Sequence, residues 1–174
     1  MRRMGAVLLA LVLAAPAVHA QGDAAAQARA AVSMLEQAAA QLESADRARD
    51  RVRAALTAMS IAMPSKRVTI NLSPADMPKE GSHFDLPIAL SLLAALEIIP
   101  HDMALETLSL GELSLDGTLV PVIGTLPAAL TAAEEDCTLM CPQSCGAEAA
   151  WVDATCVLAP LTLTAALQHF NGQV

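Results

Sequence analysis

The feature that most constrains the fold is a long stretch without proline near the start of the chain. Residues 24–59 are rich in alanine, glutamate, glutamine and arginine, which all have high helix propensity. Apolar residues recur there at spacings of three and four, which predicts one long helix with a single apolar stripe. We expect this stripe to face a sheet, and it consists of Leu35, Ala39, Leu42, Ala45, Ala48, Val52, Ala55 and Met59.

The second half of this helix carries four arginines, which are Arg47, Arg49, Arg51 and Arg53. Glu43, Asp46 and Asp50 lie within three or four positions of them, the spacing at which helix side chains pair. We therefore interpret the arginines as a solvated, self-paired helix face and not as an anion site.

The first twenty residues have the order of a secretory signal peptide. Two arginines precede an apolar run at 5–15, and Val18, His19 and Ala20 come before Gln21. The run is shorter than the roughly 20 residues that a spanning helix needs, so no stable membrane span is expected. We divide the chain into a signal-peptide-like segment at 1–20, an Ala-rich helical extension at 21–42 and a domain at 43–174.

Beyond Pro64 the pattern changes to short elements. Alternating apolar residues predict a strand at 67–72, and a continuous apolar run predicts a buried helix at 86–96. Asp85 is placed to be the N-cap of that helix, with its carboxylate accepting N–H groups of the first turn.

Two strands, at 107–115 and 118–122, are predicted on either side of Asp116-Gly117, which is a strong hairpin signal. Gly111 within the first strand indicates a bulge or a close backbone approach. The remaining predicted elements are a helix at 126–135 with Thr125 as N-cap, a strand at 137–141, a helix near 146–151, a strand at 155–158 and a helix at 161–170.

The middle of the chain carries three distinctive segments, which are RARDRVRAAL (47–56), KRVTINLSPADMPKEGSHFDLPIALSLLAA (66–95) and LGELSLDGTLVPVIGTLPAAL (110–130). Together they resemble the N-terminal domain of the YifB/ComM magnesium-chelatase-like AAA ATPases, over residues 43–172. The resemblance implies an α+β fold of the ribosomal S5 domain 2-like, Lon protease-like class, in which helices pack on a small mixed sheet. It rests on two motifs. The loop motif consists of Pro78, Lys79, Glu80, Gly81 and Asp85, and the hairpin motif consists of Gly111, Glu112, Asp116, Gly117 and Pro121.

The Lon likeness implies a serine nucleophile and a lysine base, but both positions have changed. Asp85, or Phe84 with a shift of one residue, stands where the serine belongs, and Pro127 stands where the lysine belongs. We therefore expect no enzyme activity and interpret the chain as a non-catalytic accessory domain. The alternative is a small exported peptidase that uses Ser82 with His83 or Lys79 in the 77–90 loop.

The sequence has no Gly-x-x-x-x-Gly-Lys-Ser/Thr run for binding phosphates, so no ATP or other cofactor is expected in this chain. The resemblance implies ATP and magnesium only for full-length relatives, of which the ComM branch is associated with DNA branch migration in natural transformation. A net charge of −8 and few aromatic residues argue against direct nucleic-acid binding.

Protein partners are the expected ligands, either an AAA ATPase module or a second copy. Relatives begin with a β-hairpin that this chain lacks, and its loss would leave an uncovered sheet edge that favours self-association. We interpret the chain as a truncated or rearranged piece of such an ATPase. The predicted locations disagree, because the signal-like start implies the periplasm and the family implies the cytoplasm.

Four cysteines, Cys137, Cys141, Cys145 and Cys156, have three possible roles: small apolar core residues, a disulfide formed after export, or a metal site. Their spacing is not a standard zinc pattern. On a strand, residues four apart lie about 13 Å from each other, so Cys137 and Cys141 could not share a metal. His101 and His169 lack a matching ligand set and are expected at the surface, and no metal site is predicted.

Overall fold

The computed structural model describes residues 21–63, 68–70 and 81–173, and of residues 21–28 and 35–45 it describes the backbone only. The signal-like segment at 1–20 and the motif residues Pro78, Lys79 and Glu80 therefore lie outside the described residues. So does most of the strand predicted at 67–72; its described residues, 68–70, are not in a strand. No helix among the described residues is long and apolar enough to cross a membrane.

The chain divides into two compact units, Met1–Ala38 and Ala39–Val174. The predicted long helix is present as α1, Gln21–Ala58, and it contributes to both units. In the first unit, all the described side chains, at residues 29–34, are exposed. In the second unit, three residues of the predicted stripe are buried, namely Ala48, Val52 and Ala55.

The second unit combines helices with short strands, which confirms the predicted α+β class. The elements described after α1 are α2 (Asp85–Ala95), α3 (His101–Leu105), β1 (Thr107–Ser109), β2 (Glu112–Leu113), β3 (Leu119–Val120), α4 (Thr125–Glu134), β4 (Thr138–Met140), a 3-10 turn (Gln143–Cys145), α5 (Gly146–Ala149), β5 (Val157–Leu158) and α6 (Leu163–Phe170). The short helix α3, which begins at the exposed His101, was not predicted.

The strands of the described residues form two small sheets. β1, β4 and β5 make a parallel sheet in that order, with Leu108 opposite Leu139 and Leu139 opposite Val157. β2 and β3 make an antiparallel pair with Glu112 opposite Val120. The parallel neighbours are joined through helices, as parallel pairing requires a crossover.

The prediction of one strand at 107–115 was wrong, because the chain changes sheets at Gly111. The Gly111 N–H donates to the His83 carbonyl and the Gly111 carbonyl accepts from the Leu86 N–H, both at 3.0 Å, so neither group is available to a strand neighbour. The predicted close approach at this glycine is confirmed. An added Cβ would lie 3.2 Å from Cγ of Pro142.

The predicted turn at Asp116-Gly117 is also present. Gly117 has φ +86°, and its N–H donates to the Ser114 carbonyl at 3.0 Å. The Asp116 carboxylate accepts hydrogen bonds from the Ser114 hydroxyl and, at 2.9 Å, from the Thr118 N–H. These bonds lower the pKa of Asp116, and the bond from Ser114 makes the largest contribution.

Two apolar clusters stabilise the part of this unit that the structure describes. In the larger one, buried residues of α1, α2 and α6 pack with the two-stranded sheet and include Leu56, Leu86, Leu93, Leu113 and Leu163. In the smaller one, residues of α4, α5 and β4 pack together and include Ala129, Ala132, Leu139 and Ala149. The first cluster is the one that supports the candidate site described below.

Both predicted N-caps were wrong. α2 and α4 begin one residue earlier than expected, so Asp85 and Thr125 are the first helical residues and Phe84 and Gly124 precede them. Gly124 has φ +103°, which turns the chain into α4 without a side-chain cap. A side-chain cap is found instead at α6, where the Thr162 hydroxyl accepts from the Ala165 N–H at 3.1 Å.

The cysteines differ in their surroundings, and all four are free thiols. Cys141 and Cys145 are buried in the smaller cluster, which fits the role of small apolar residues, whereas Cys156 is exposed. Cys137 and Cys141 flank β4 and do not lie within it. Burial, with smaller contributions from Cys145 and Glu148, raises the pKa of Cys141 to about 11.

Three helices end in a left-handed residue that is not glycine. Ser60 after α1, Glu97 after α2 and Asp136 after α4 have φ of 60°, 57° and 54°. In each case the next N–H bonds back into the helix, as Ile98 does to the Leu93 carbonyl at 2.9 Å. Glycine is the usual residue at such a position, because a residue with a Cβ atom is strained in the left-handed conformation.

We expect Glu97→Gly to stabilise the protein by about 0.5–1 kcal/mol, because relief of left-handed strain exceeds the added chain entropy of glycine. Glu97 is exposed, so no packing is lost. Urea unfolding measures the difference. The matched control is Glu135→Gly, at an exposed helix end with φ −92°, which should not stabilise. Loss of stability in Glu97→Gly would contradict this explanation.

A buried ion pair at the start of helix α2

The loop before α2 is the place where the Lon likeness puts a nucleophile. Residues 81–84 form a tight turn in which Gly81 has φ +92° and the Asp85 N–H donates to the Ser82 carbonyl at 3.2 Å. The two backbone bonds of Gly111 with His83 and Leu86 attach this turn to the break between β1 and β2. The start of α2 is thereby fixed against the two-stranded sheet.

Asp85 lies at the centre of this region and is completely buried. Its carboxylate accepts a bidentate pair of hydrogen bonds from the Arg51 guanidinium, with Nε 2.5 Å from Oδ2 and Nη2 2.9 Å from Oδ1. The Leu113 N–H also donates to Oδ2, at 3.1 Å. One carboxylate therefore joins α1, the start of α2 and β2.

The electrostatic surroundings favour the charged form of Arg51. The hydrogen bond to Asp85, with a smaller contribution from the charge of Glu112, raises the pKa of Arg51 despite its partial burial. The carboxylate lies in the first turn of α2, where the helix dipole stabilises negative charge. A forked guanidinium contact of this kind is among the stronger charged hydrogen bonds.

This pair corrects two sequence predictions. Asp85 does not cap α2, because it is itself helical and its carboxylate is bound by Arg51 and Leu113. Arg51 does not belong to a solvated, self-paired face, since only 19% of its side chain is exposed. That prediction does describe Arg49, which is 62% exposed and contacts Asp46 at 3.1 Å and Asp50 at 3.4 Å.

The sequence carries a signal for the partial burial of Arg51. Arg51 lies beside Val52 and within one helical turn of Ala48 and Ala55, so it borders the buried stripe. Asp85 likewise precedes a continuous apolar run. An arginine and an aspartate that both border buried faces are candidates for a buried pair, although the sequence does not indicate that the two meet.

Ser82 and His83, the alternative catalytic residues, have different neighbours. The Ser82 hydroxyl donates to the Glu112 carboxylate, which links the turn to β2 a second time. The His83 ring lies against Phe84, with the ring centroids 4.3 Å apart. Both side chains are half-buried, and these contacts attach the turn to its surroundings.

The other predicted motif residues are placed as follows. Pro127 lies exposed in the first turn of α4, where it carries no ionisable group. Glu112 lies in β2 beside the ion pair, Asp116 and Gly117 form the hairpin turn, and Pro121 is exposed after β3. The hairpin motif therefore contributes Gly111 and Glu112 to the site and Asp116 and Gly117 to the turn, whereas Pro121 belongs to neither.

The side chains at this site are not suited to hold magnesium. The buried carboxylate of Asp85 faces a guanidinium, whose positive charge opposes a second cation. Among the described residues, no three His, Cys, Asp or Glu side chains are grouped so that they could bind a metal ion. The chemistry that this geometry supports is structural anchoring.

We expect Arg51→Leu to destabilise the protein more than Asp85→Asn. Arg51→Leu leaves a fully buried carboxylate without its cation, at a cost of about 3–5 kcal/mol. Asp85→Asn leaves a guanidinium that can reach water, at about 1–3 kcal/mol. Denaturant unfolding of the purified variants measures both free energies.

Arg49→Leu is the matched control, because it removes an exposed pair on the same helix and should change stability by no more than about 0.5 kcal/mol. Equal effects of Arg49→Leu and Arg51→Leu would show that the buried pair does not stabilise the fold.

Comparison with known proteins identifies a family. The family model described as "Subunit ChlI of Mg-chelatase" matches residues 26–145, which is more than half of the chain. Competence protein ComM of Haemophilus influenzae is 40% identical over 126 residues, which cover 72% of this chain and 25% of the relative. The uncharacterized protein YifB of Escherichia coli is 48% identical over 85 residues, which cover 49% of this chain and 17% of the relative.

An uncharacterized protein of Mycobacterium tuberculosis is 50% identical over 84 residues, covering 48% of this chain and 17% of the relative. The chain thus spans a quarter or less of the length of these curated relatives. The matched region contains Arg51, Asp85 and the hairpin motif. On this evidence the chain belongs to the family of ChlI-type, Mg-chelatase-like proteins that includes ComM and YifB.

Proposed function

We propose that this chain is a non-catalytic accessory domain that acts through protein contacts. The observation that carries the proposal is the burial and hydrogen bonding of Asp85. It occupies the position that the Lon likeness gives to a nucleophilic serine, yet its carboxylate is buried and bound by Arg51 and the Leu113 N–H. A nucleophile must reach its substrate, whereas this carboxylate is enclosed by the side chains and backbone that it joins.

Pro127 supports the same proposal, because a serine–lysine mechanism needs an amine at that position and proline has none. The peptidase alternative gains no support from ComM or YifB, neither of which is named a peptidase. We further propose that the domain has the ribosomal S5 domain 2-like topology. The parallel β1–β4–β5 sheet with its crossover helices is compatible with that class.

We assign ATP and magnesium to the parts of the relatives that this chain does not match. The matched stretch is 25% of ComM, and the chain has no phosphate-binding glycine-rich run. ComM is named a competence protein, and a role in DNA branch migration would on this proposal belong to the whole relative. The net charge of −8 makes direct DNA contact by this chain unfavourable.

The partner that we propose is an ATPase module of the kind present in full-length relatives, with self-association as the second possibility. Large apolar side chains on the described surface support a protein partner. Ile123, in the loop before α4, is 98% exposed, and Trp151, after α5, is 77% exposed. Tryptophan is enriched where proteins bind each other, and the exposed isoleucine adds apolar surface for such a contact.

We expect the purified chain to hydrolyse unfolded casein no faster than a protein-free blank. Ser82→Ala and His83→Ala should leave that result unchanged, because neither residue takes part in chemistry. Release of labelled peptides measures the rate, with Ser144→Ala as the control for an exposed serine outside the loop. Turnover that Ser82→Ala or His83→Ala removes, and Ser144→Ala does not, would refute the non-catalytic role.

We expect the chain to bind the part of Haemophilus influenzae ComM that lies outside the matched stretch, or to bind itself. Sedimentation velocity across micromolar concentrations distinguishes the two. Ile123→Asp or Trp151→Asp should weaken the complex about tenfold or more, as loss of a central apolar contact does. Gln143→Asp, at an exposed polar position, is the control. A monomer that binds no ComM segment would contradict the proposed role.

A further inference from the structure

We draw no further inference here: the strongest candidate, the apolar cleft of about 270 Å³ between residues 68–70 and the outer face of α2 at Pro87, Ile88, Ser91 and Leu92, carries none because nothing in the structure shows what covers it.

Discussion

The contact between Arg51 and Asp85 is the interaction on which the rest of the second unit depends. It joins residues 34 positions apart, and its carboxylate also receives the Leu113 N–H, so three elements meet at one buried group. Burying a carboxylate is unfavourable unless its charge and its lone pairs are both satisfied. Here a forked guanidinium supplies the charge and two of the donors, and the backbone of β2 supplies the third. The arrangement of α1, α2 and β2 is therefore specified as well as stabilised.

The same contact supports the proposal that the loop before α2 has a structural and not a catalytic role. The turn at 81–84 is hydrogen-bonded to Gly111 through its backbone and to Glu112 through the Ser82 hydroxyl. Asp85, the residue that follows this turn, is bound by Arg51. A catalytic loop needs a reactive group that faces the substrate. In the described part of this loop and the start of α2, the Asp85 carboxylate is buried and faces Arg51. Ile123 and Trp151, the two exposed apolar residues that we propose as partner contacts, belong to other segments.

Much of the fold could be predicted from the sequence, because local patterns determine it. The long helix α1, the α2 run and the Asp116-Gly117 turn follow from periodicity and turn chemistry, and the family resemblance is supported by the matches to ComM and YifB. The sequence did not show that Gly111 divides one apparent strand between two sheets, because that break depends on its backbone hydrogen bonds with residues 83 and 86. Nor did it show that Arg51 meets Asp85. Pairing between residues far apart in sequence leaves no periodic signal. The acidic residues three or four positions from the arginines of α1 instead predicted ion pairs within the helix.

The most direct test of this account is a double-mutant cycle on the pair, with unfolding free energies measured for the wild type, Arg51→Met, Asp85→Asn and the double variant. The account predicts a coupling energy of at least about 1.5 kcal/mol, with the double variant more stable than Arg51→Met alone, because it no longer buries an uncompensated charge. Additive effects, with a coupling below about 0.5 kcal/mol, would mean that the two side chains stabilise the fold independently. The central claim would then be wrong.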